Sequence, residues 1–333
     1  MSLISTRGAA SARGFGLFAA ASADSDGTRA IFGLGPAAGN VRDKYTFANC
    51  TSTCSGVGVA SIASSDQSAA GNSTRGIFAL GLDSGSGVGS NVRNKYTYSS
   101  CTSTASGVGT ASAATSRGSA TGNGTRGIFA LGATDNPCTG VFTPTTTRNK
   151  YTYSSCTSTA CGVAVASSAS QRGAAVGNST RGIFAIGCVS GVGSVTTRNK
   201  YTYACCTSTA SGVGAASSSS RSGAAAGNST RGIFAIGFVP SVASTTRNKY
   251  TYACCTSTAS GVAASTCGSR SGAAAGNSTR GIFAIGFNAC NTRTPTRNKY
   301  TYACCTSTGS GVGGASSCSA QGSAASWATC VNQ

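Results

Sequence analysis

The chain has 333 residues, including 47 glycines and no histidine, and only 9% of its residues are charged. Its apolar fraction of 40% is sufficient for a folded core, and the low proline content of 5 residues argues against a disordered chain. No stretch approaches the ~20 consecutive apolar residues that a bilayer-spanning helix needs, so we expect no membrane insertion.

Two motifs divide the chain into repeats. R-x-K-Y recurs with spacings of 51, 55, 50, 49 and 50 residues, and each copy follows TRGIFALG, TRGIFAIG or the degenerate TRAIFGLG. A period near ~50 residues is typical of propeller blades and solenoids. We treat residues 1–333 as one domain. Its expected repeats are 10–61, 62–112, 113–167, 168–217, 218–265 and 266–316, followed by a closing unit of 317–333 with 1–9.

One repeat, residues 218–265, predicts four short strands in chain order. SGAAAG ends at the turn signal Gly227-Asn228, and the second segment, TRGIFAIGF, is apolar on both faces. In the third, RNKYTYACC, Tyr250 and Tyr252 share one face, as the period of a strand requires. STASGVAAS supplies the fourth candidate, and no window shows a helical apolar stripe. The chain is therefore predicted to be all-β.

Four strands per repeat, with small residues in the first, favour a β-propeller of four-stranded blades. We expect seven blades: six full repeats and one composite blade made from both termini, which would protect two sheet edges. Six blades with an unusual closure is the alternative, and a solenoid comes third.

The order SRSGAAAG, RGIFAIG and TRNKYTY resembles the kelch family of β-propellers. The chain departs from that family in having a single glycine, Gly237, after the second strand, and TSTASGV where a tryptophan is usual. The resemblance implies the architecture and carries over no catalytic residue. The segments GNSTRGIFALG and TRNKYTYSS are also similar to repeats of uncharacterised phage tail or virion-associated and bacterial proteins. That likeness implies a location on a virion or at a cell surface, with a cytoplasmic location as the alternative.

The charge is strongly positive, with 25 Lys plus Arg against six acids and a formal charge of +19. Such a surface attracts anions, and repeated cations can bind phosphate, sulfate or carboxylate. The candidate binding residues, with a structural role as the alternative, are Arg93, Lys95, Arg148, Lys150, Arg198, Lys200, Arg247, Lys249, Arg297 and Lys299. For the arginine of the TRG motif we favour a structural role, with hydrogen bonds to carbonyl groups of the neighbouring blade.

The seventeen cysteines contain one register that recurs in every repeat: Cys50, Cys101, Cys156, Cys206, Cys255 and Cys305. No C-x-x-C occurs, so we expect neither a metal site nor another cofactor. Buried free thiols are the favoured interpretation, and Cys50–Cys54 or Cys156–Cys161 disulfides are the alternative. The GNST segments match a glycosylation pattern, but we interpret them as hairpin turns.

Catalysis has little support, because the chain lacks His and Glu and has no acid after Asp135. We predict a non-catalytic structural or adhesive protein that contacts other virion or surface proteins. A lectin-like binder of anionic surface polysaccharide is the alternative, and a charge-driven nucleic-acid binder comes third. The expected contact surface consists of the variable segments 83–91, 134–145, 189–195, 239–244 and 288–294.

Overall fold

The computed structural model describes residues 28–33, 35, 40–136, 141–239, 242–318 and 320–326. Within these ranges the regular structure consists of β-strands, and no helix occurs that could cross a bilayer. The all-β prediction is confirmed.

Six four-stranded antiparallel sheets make up most of the described chain. The four strands of a sheet are numbered in spatial order. In sheets 2 to 6 the first strand precedes the GNST turn or its equivalent, and in sheet 1 the strand at the same position is Ser323–Ser326. Sheet 1 contains Ser323–Ser326, Arg29–Gly33, Arg42–Thr46 and Thr51–Thr53; sheet 2 contains Ser68–Gly71, Arg75–Ala79, Arg93–Thr97 and Thr102–Thr104; sheet 3 contains Ser119–Gly122, Arg126–Ala130, Arg148–Thr152 and Thr157–Thr159. Sheet 4 contains Ala174–Gly177, Arg181–Ala185, Arg198–Thr202 and Thr207–Thr209; sheet 5 contains Ala224–Gly227, Arg231–Ala235, Arg247–Thr251 and Thr256–Thr258; sheet 6 contains Ala274–Gly276, Arg280–Phe287, Arg293–Thr301 and Thr306–Thr308.

Shorter strands form three pairs and one three-stranded sheet at the end of the sheets where the second strand connects to the third. They are Ser64–Ser65 with Leu82–Asp83, Ala133–Asn136 with Val141–Pro144, Ser170–Gln171 with Cys188–Val189 and Gly193–Ser194, and Phe238–Val239 with Val242–Ala243. We call this end the loop side, and the opposite end, which carries the GNST turns, the turn side.

The sequence pattern explains the two central strands. Residues Gly232 to Phe234 of the second strand are buried on both faces, because neighbouring sheets cover them from both sides. In the third strand Tyr250 is buried and Thr251 half-buried, which confirms the alternation predicted there. The fourth strand is shorter than predicted: Thr256–Thr258 pairs with the third strand, while Ser260 and Gly261 form a turn.

The core lies between adjacent sheets and is divided into six clusters. In one of them Ile31 of sheet 1 packs with Phe78, Tyr96 and Tyr98 of sheet 2. Gly76 permits this close approach, since a Cβ there would lie 2.9 Å from the Cβ of Ala325. The apolar residues therefore act as thin layers between sheets.

The first strands of the sheets contact one another in order from sheet 1 to sheet 6, and the first strand of sheet 6 contacts that of sheet 1. The residues just before them form a circle of backbone hydrogen bonds, such as Arg172 N to Arg117 O at 2.8 Å and Gln321 N to Ser271 O at 2.7 Å. Gln67 N to Gln321 O, at 3.4 Å, closes the circle. Six residues of this circle have a positive backbone φ, in the left-handed region: Asp66, Arg117, Arg172, Ser222, Ser271 and Gln321.

The C-terminal strand has a different partner from the one expected. Ser323–Ser326 pairs with Arg29–Gly33, with Ala325 opposite Ile31, and so completes the sheet of the first repeat. The expected closing unit combines this segment with residues 1–9, which lie outside the described ranges. The pairing covers the free edge of the first repeat's second strand, which has no other inner neighbour among the described residues.

Candidate binding surface

The repeated arginine of the third strand lies inside the molecule, between one sheet and the next. Arg93 of sheet 2 donates hydrogen bonds from Nη2 to Asn149 Oδ1 at 3.2 Å and from Nη1 to Ser158 Oγ. Its guanidinium carbon lies 4.5 Å from the centre of the Phe129 ring. Because Asn149, Ser158 and Phe129 all belong to sheet 3, Arg93 fastens sheet 2 to sheet 3.

This arrangement recurs at six junctions between neighbouring sheets. The arginines are Arg42, Arg93, Arg148, Arg198, Arg247 and Arg297, and Nη2 of each donates in turn to Asn94, Asn149, Asn199, Asn248, Asn298 and Asp43. The aromatic rings beneath them, at 4.4 to 4.7 Å, are Phe78, Phe129, Phe184, Phe234, Phe283 and Phe32.

The burial argues against the predicted binding role of five of the ten candidate residues. Each of these arginines is no more than 1% exposed, so a ligand in solvent has no access to them. They are Arg93, Arg148, Arg198, Arg247 and Arg297. The lysines of the same strands are half-buried, and their part in binding stays a prediction; they are Lys95, Lys150, Lys200, Lys249 and Lys299.

Burial of these guanidinium groups changes their acidity. It lowers the pKa of Arg42, Arg93, Arg148, Arg198 and Arg247 to about 10, because removal from water disfavours the charged form. Hydrogen bonds to neutral oxygens and contact with an aromatic ring compensate part of this cost. The arrangement suits a structural clamp that stays protonated at neutral pH.

The arginine of the TRG motif has the structural role predicted for it. Nη1 of Arg75 donates to the backbone oxygen of Tyr153 at 2.9 Å, and Nη1 of Arg181 donates to that of Tyr252 at 2.9 Å. In both cases the acceptor belongs to the neighbouring sheet, so the prediction is confirmed. The arginines of the third strand and those of the TRG motif therefore both hold neighbouring sheets together.

The GNST segments are turns, as predicted. Asn228 Oδ1 accepts hydrogen bonds from the backbone nitrogens of Thr230 and Arg231, each at 3.0 Å. Asn228 Nδ2 donates to Ser278 O of the next sheet at 3.1 Å. The side chain thus shapes its own turn and contacts the neighbouring one.

The register cysteines occupy a strained backbone position that the sequence did not reveal. They have φ values of 54° to 56°, in the left-handed region that non-glycine residues rarely adopt. The thiol of Cys156 donates to Tyr153 O at 3.7 Å and lies 3.5 Å from Nη1 of Arg75. All fifteen cysteines in the described ranges are free, and the register cysteines are half-buried rather than fully buried. No cluster among the described residues offers three or more metal ligands.

A small polar cavity of about 60 Å³ opens on the loop side, where the first strands begin. Arg117 Nε lies 3.4 Å from Asp66 Oδ2, and Arg172 lines the same cavity. Burial raises the pKa of Asp66, an effect that Arg117 and Arg172 oppose. Burial and the neighbouring Arg117 lower the pKa of Arg172. One carboxylate therefore faces two guanidinium groups here.

A stack of five side chains lies on the loop side of sheets 5 and 6. The guanidinium carbons of Arg221 and Arg270 each lie 4.9 Å from the centre of the Phe238 ring. Arg270 also lies 4.9 Å from the Phe287 ring, and Arg293 lies 5.6 Å from it. We call these residues the Arg–Phe stack.

Sequence reasoning missed the Arg–Phe stack, although a signal for it existed. Backbone hydrogen bonds pair Arg221 with Phe238 and Arg270 with Phe287 across neighbouring segments. Phenylalanine follows the glycine of the second strand only in the two repeats that have arginine before the first strand's left-handed residue. The joint occurrence of the two residue types could have indicated the contact.

The variable loop-side segments carry exposed apolar residues in three consecutive sheets. Val141, Val192 and Val242 are 56%, 72% and 60% exposed. They lie within the predicted contact segments 134–145, 189–195 and 239–244, of which residues 137–140 and 240–241 lie outside the described ranges. Exposed valines beside half-buried arginines make the loop side the better candidate surface for binding.

No protein-family model matches the chain, and a search of curated proteins found no relative.

Proposed function

We propose that the six sheets are the blades of a closed six-bladed β-propeller that serves as a non-catalytic structural or adhesive module. The cyclic contacts of the first strands and the circle of backbone hydrogen bonds support closure. The C-terminal strand then completes the first blade, which favours six blades over seven. Averaged electron-microscopy views along the axis should show six wedges. Seven wedges, or an open arc, would contradict this architecture.

The observation that carries the adhesive role is the contrast between the two sides of the molecule. The turn side repeats one asparagine-shaped turn, whereas the loop side varies in length and exposes Val141, Val192 and Val242. A fixed frame with changing loops is the arrangement that recognition surfaces commonly use. Several weak contacts from one rim would add by avidity.

A non-catalytic role is supported by the uses of the three carboxylates whose side chains the structure describes. Asp43 accepts a hydrogen bond from Arg297, Asp66 pairs with Arg117, and Asp83 accepts one from the backbone nitrogen of Gly85 at 2.8 Å. Asp43 holds one junction between sheets, Asp66 lies in the small polar cavity on the loop side, and Asp83 shapes a turn. General acid or base catalysis would need a carboxylate or another titratable group free to exchange protons with a substrate.

The test compares two triple variants in binding to purified bacterial envelopes and a polysaccharide panel. Val141→Asp with Val192→Asp and Val242→Asp should reduce binding at least tenfold. Ser179→Asp with Ser229→Asp and Ser278→Asp places the same charges on exposed turn-side residues and should change it little. Equal loss from both would show that charge alone matters, and retained binding in the valine variant would contradict a loop-side surface.

The location on a virion, phage tail or cell surface stays a prediction from the resemblance of the repeats, and genes for tail or capsid proteins beside this one would support it. Anionic glycan and nucleic acid are the ligand classes that the +19 charge favours. Nucleic-acid binding by charge alone should weaken steeply as salt increases.

A further inference from the structure

The Arg–Phe stack combines three cations that have no carboxylate partner among the side chains the structure describes. The two salt bridges among the described residues involve Arg117 and Arg297, and the sequence contains no acid after Asp135. Arg221 donates to Ser194 Oγ at 3.3 Å and Arg270 donates to Asn291 Oδ1, so both have neutral partners. The stack therefore retains its positive charge for an external anion.

Stacking also prepares these cations for binding. A guanidinium held against an aromatic ring loses side-chain freedom before the ligand arrives, and its N–H groups suit the geometry of carboxylate or sulfate. The guanidinium carbons of Arg221 and Arg270 are separated by no more than twice 4.9 Å, since both lie that far from Phe238. Arg293, at the end of the stack, is exposed.

Each aromatic ring of the stack already contacts two arginines, which argues against stacking of a nucleobase on it. Phe238 already has Arg221 and Arg270 against it, and Phe287 has Arg270 and Arg293. Binding of single-stranded nucleic acid usually relies on bases that stack on free aromatic faces. The stack is therefore better suited to charged groups than to bases.

An apolar contact lies beside the charges. Phe238 and Val242 belong to one short hairpin, in which Phe238 pairs with Ala243 and Val239 pairs with Val242. Val242 is 60% exposed. A sugar ring offers apolar C–H groups next to its acidic substituents, so it could contact the valine while its acid group contacts an arginine.

We propose that the Arg–Phe stack binds an acidic polysaccharide chain through its carboxylate or sulfate groups. The proposal rests on the proposed binding role of the loop side and names the ligand class and the residues. Binding joins successive arginines to successive acid groups, with no covalent step.

The experiment measures binding of the full chain to polygalacturonate and dextran sulfate at physiological salt, with neutral dextran, oligo-dT and duplex DNA for comparison. Arg270→Gln removes the central cation and should weaken binding to the acidic polymers at least tenfold. Lys44→Gln removes the same charge from a half-buried lysine of sheet 1, which is not among the candidate binding residues, and should weaken binding less than twofold. Equal losses would overturn the proposal, because net charge would then explain binding.

Two further variants show whether a loss of binding comes from the stack itself or from misfolding. Arg293→Gln alters an exposed residue and should weaken binding severalfold with an unchanged urea midpoint. Phe238→Leu with Phe287→Leu retains every charge but removes the supporting rings, and should also weaken binding severalfold. Unchanged binding in both would overturn the proposal.

The outcomes separate this proposal from the proposed function. If the stack variants bind normally while the triple valine variant does not, the stack proposal fails and the adhesive role survives. If wild-type protein binds neither envelopes nor any polymer, both fail. Tighter binding of oligo-dT than of polygalacturonate, lost in Arg270→Gln, would overturn the polysaccharide assignment in favour of nucleic acid.

Discussion

Arg297 Nη2 lies 3.0 Å from Asp43 Oδ2, and both side chains are fully buried at the junction between the last sheet and the first. The other five junctions have asparagine where this one has aspartate. Burial lowers the pKa of Arg297, and the adjacent Asp43 carboxylate opposes that effect. The ion pair thus distinguishes the junction that joins distant parts of the chain.

Replacing Asp43 tests whether this junction needs the charge or only the hydrogen bonds. Asp43→Asn should cost about 1 kcal/mol or less, because an asparagine amide can make the contacts that Asn94 makes with Arg42 and Ser61. Asp43→Ala should cost about 3–5 kcal/mol, because it leaves the buried charge of Arg297 unpaired and removes the acceptor of its Nη2. Urea unfolding measures both. Equal costs would show that the negative charge itself is essential.

Tyr302→Phe should increase the free energy of unfolding by about 1 kcal/mol, because the buried Tyr302 hydroxyl has no hydrogen-bond partner among the described residues. Sheet 1 already has Phe47 at the corresponding position. Tyr203→Phe is the matched control, since the Tyr203 hydroxyl donates to Thr121 Oγ1 at 3.4 Å, and it should cost about 0.5 kcal/mol. Thermal and urea unfolding give both values. The same sign for both changes would contradict the explanation.

Alkaline pH should unfold the protein through its tyrosines. Burial raises the pKa of Tyr45, Tyr96, Tyr151, Tyr250 and Tyr302 above the ordinary value of 10.0. A folded-state pKa above the unfolded one gives stability that is complete below the unfolded pKa, about 10, and is lost as the pH rises further. The buried arginines, with folded pKa values near 10, act in the opposite sense over the same range.

Tyrosinate absorbance and circular dichroism, followed together in an alkaline titration, check this prediction. Tyrosine ionisation should coincide with the loss of β-structure. An early tyrosinate signal near the ordinary pKa, from protein with an unchanged dichroism spectrum, would show that these tyrosines are accessible in the folded state.

Gly237→Ala should destabilise the protein more than Gly212→Ala. Both glycines have positive φ, 85° and 65°, so each change costs about 1–2 kcal/mol in backbone strain. At Gly237 a Cβ would also lie 2.6 Å from Arg221 O, whereas nothing lies within 4 Å of a Cβ at Gly212. The collision should add at least about 1–3 kcal/mol, measured by urea unfolding. Similar costs would contradict the close approach on the loop side.

Thiol titration tests the state of the cysteines. The denatured chain should give the same count with and without reductant, and a value near zero without reductant would reject free thiols. In the folded state Cys205, Cys254 and Cys304 should react early, because they are exposed and hydrogen bonds from neighbouring threonines lower their pKa values. Serine substitution of these three should remove that early reaction, and serine at Cys206 should leave it.

The sequence alone determined the parts of this protein that depend on local spacing. The fifty-residue repeat, the alternation around Tyr250 and the turns at Asn228 follow from side-chain period and turn chemistry, which act over a few residues. The structural role of the TRG arginine was also predictable, since this arginine keeps its position in every repeat.

The tertiary structure decided which charges are buried and which ends of the chain meet. Arg93 and Lys95 stand two residues apart in one motif, yet one is enclosed by the next sheet and the other is half-buried. Ser323–Ser326 pairs with the free edge of Arg29–Gly33, from which it is separated by almost the whole length of the sequence. These outcomes depend on packing between repeats. The spacing of residues within one repeat does not indicate which of its side chains the neighbouring repeat covers.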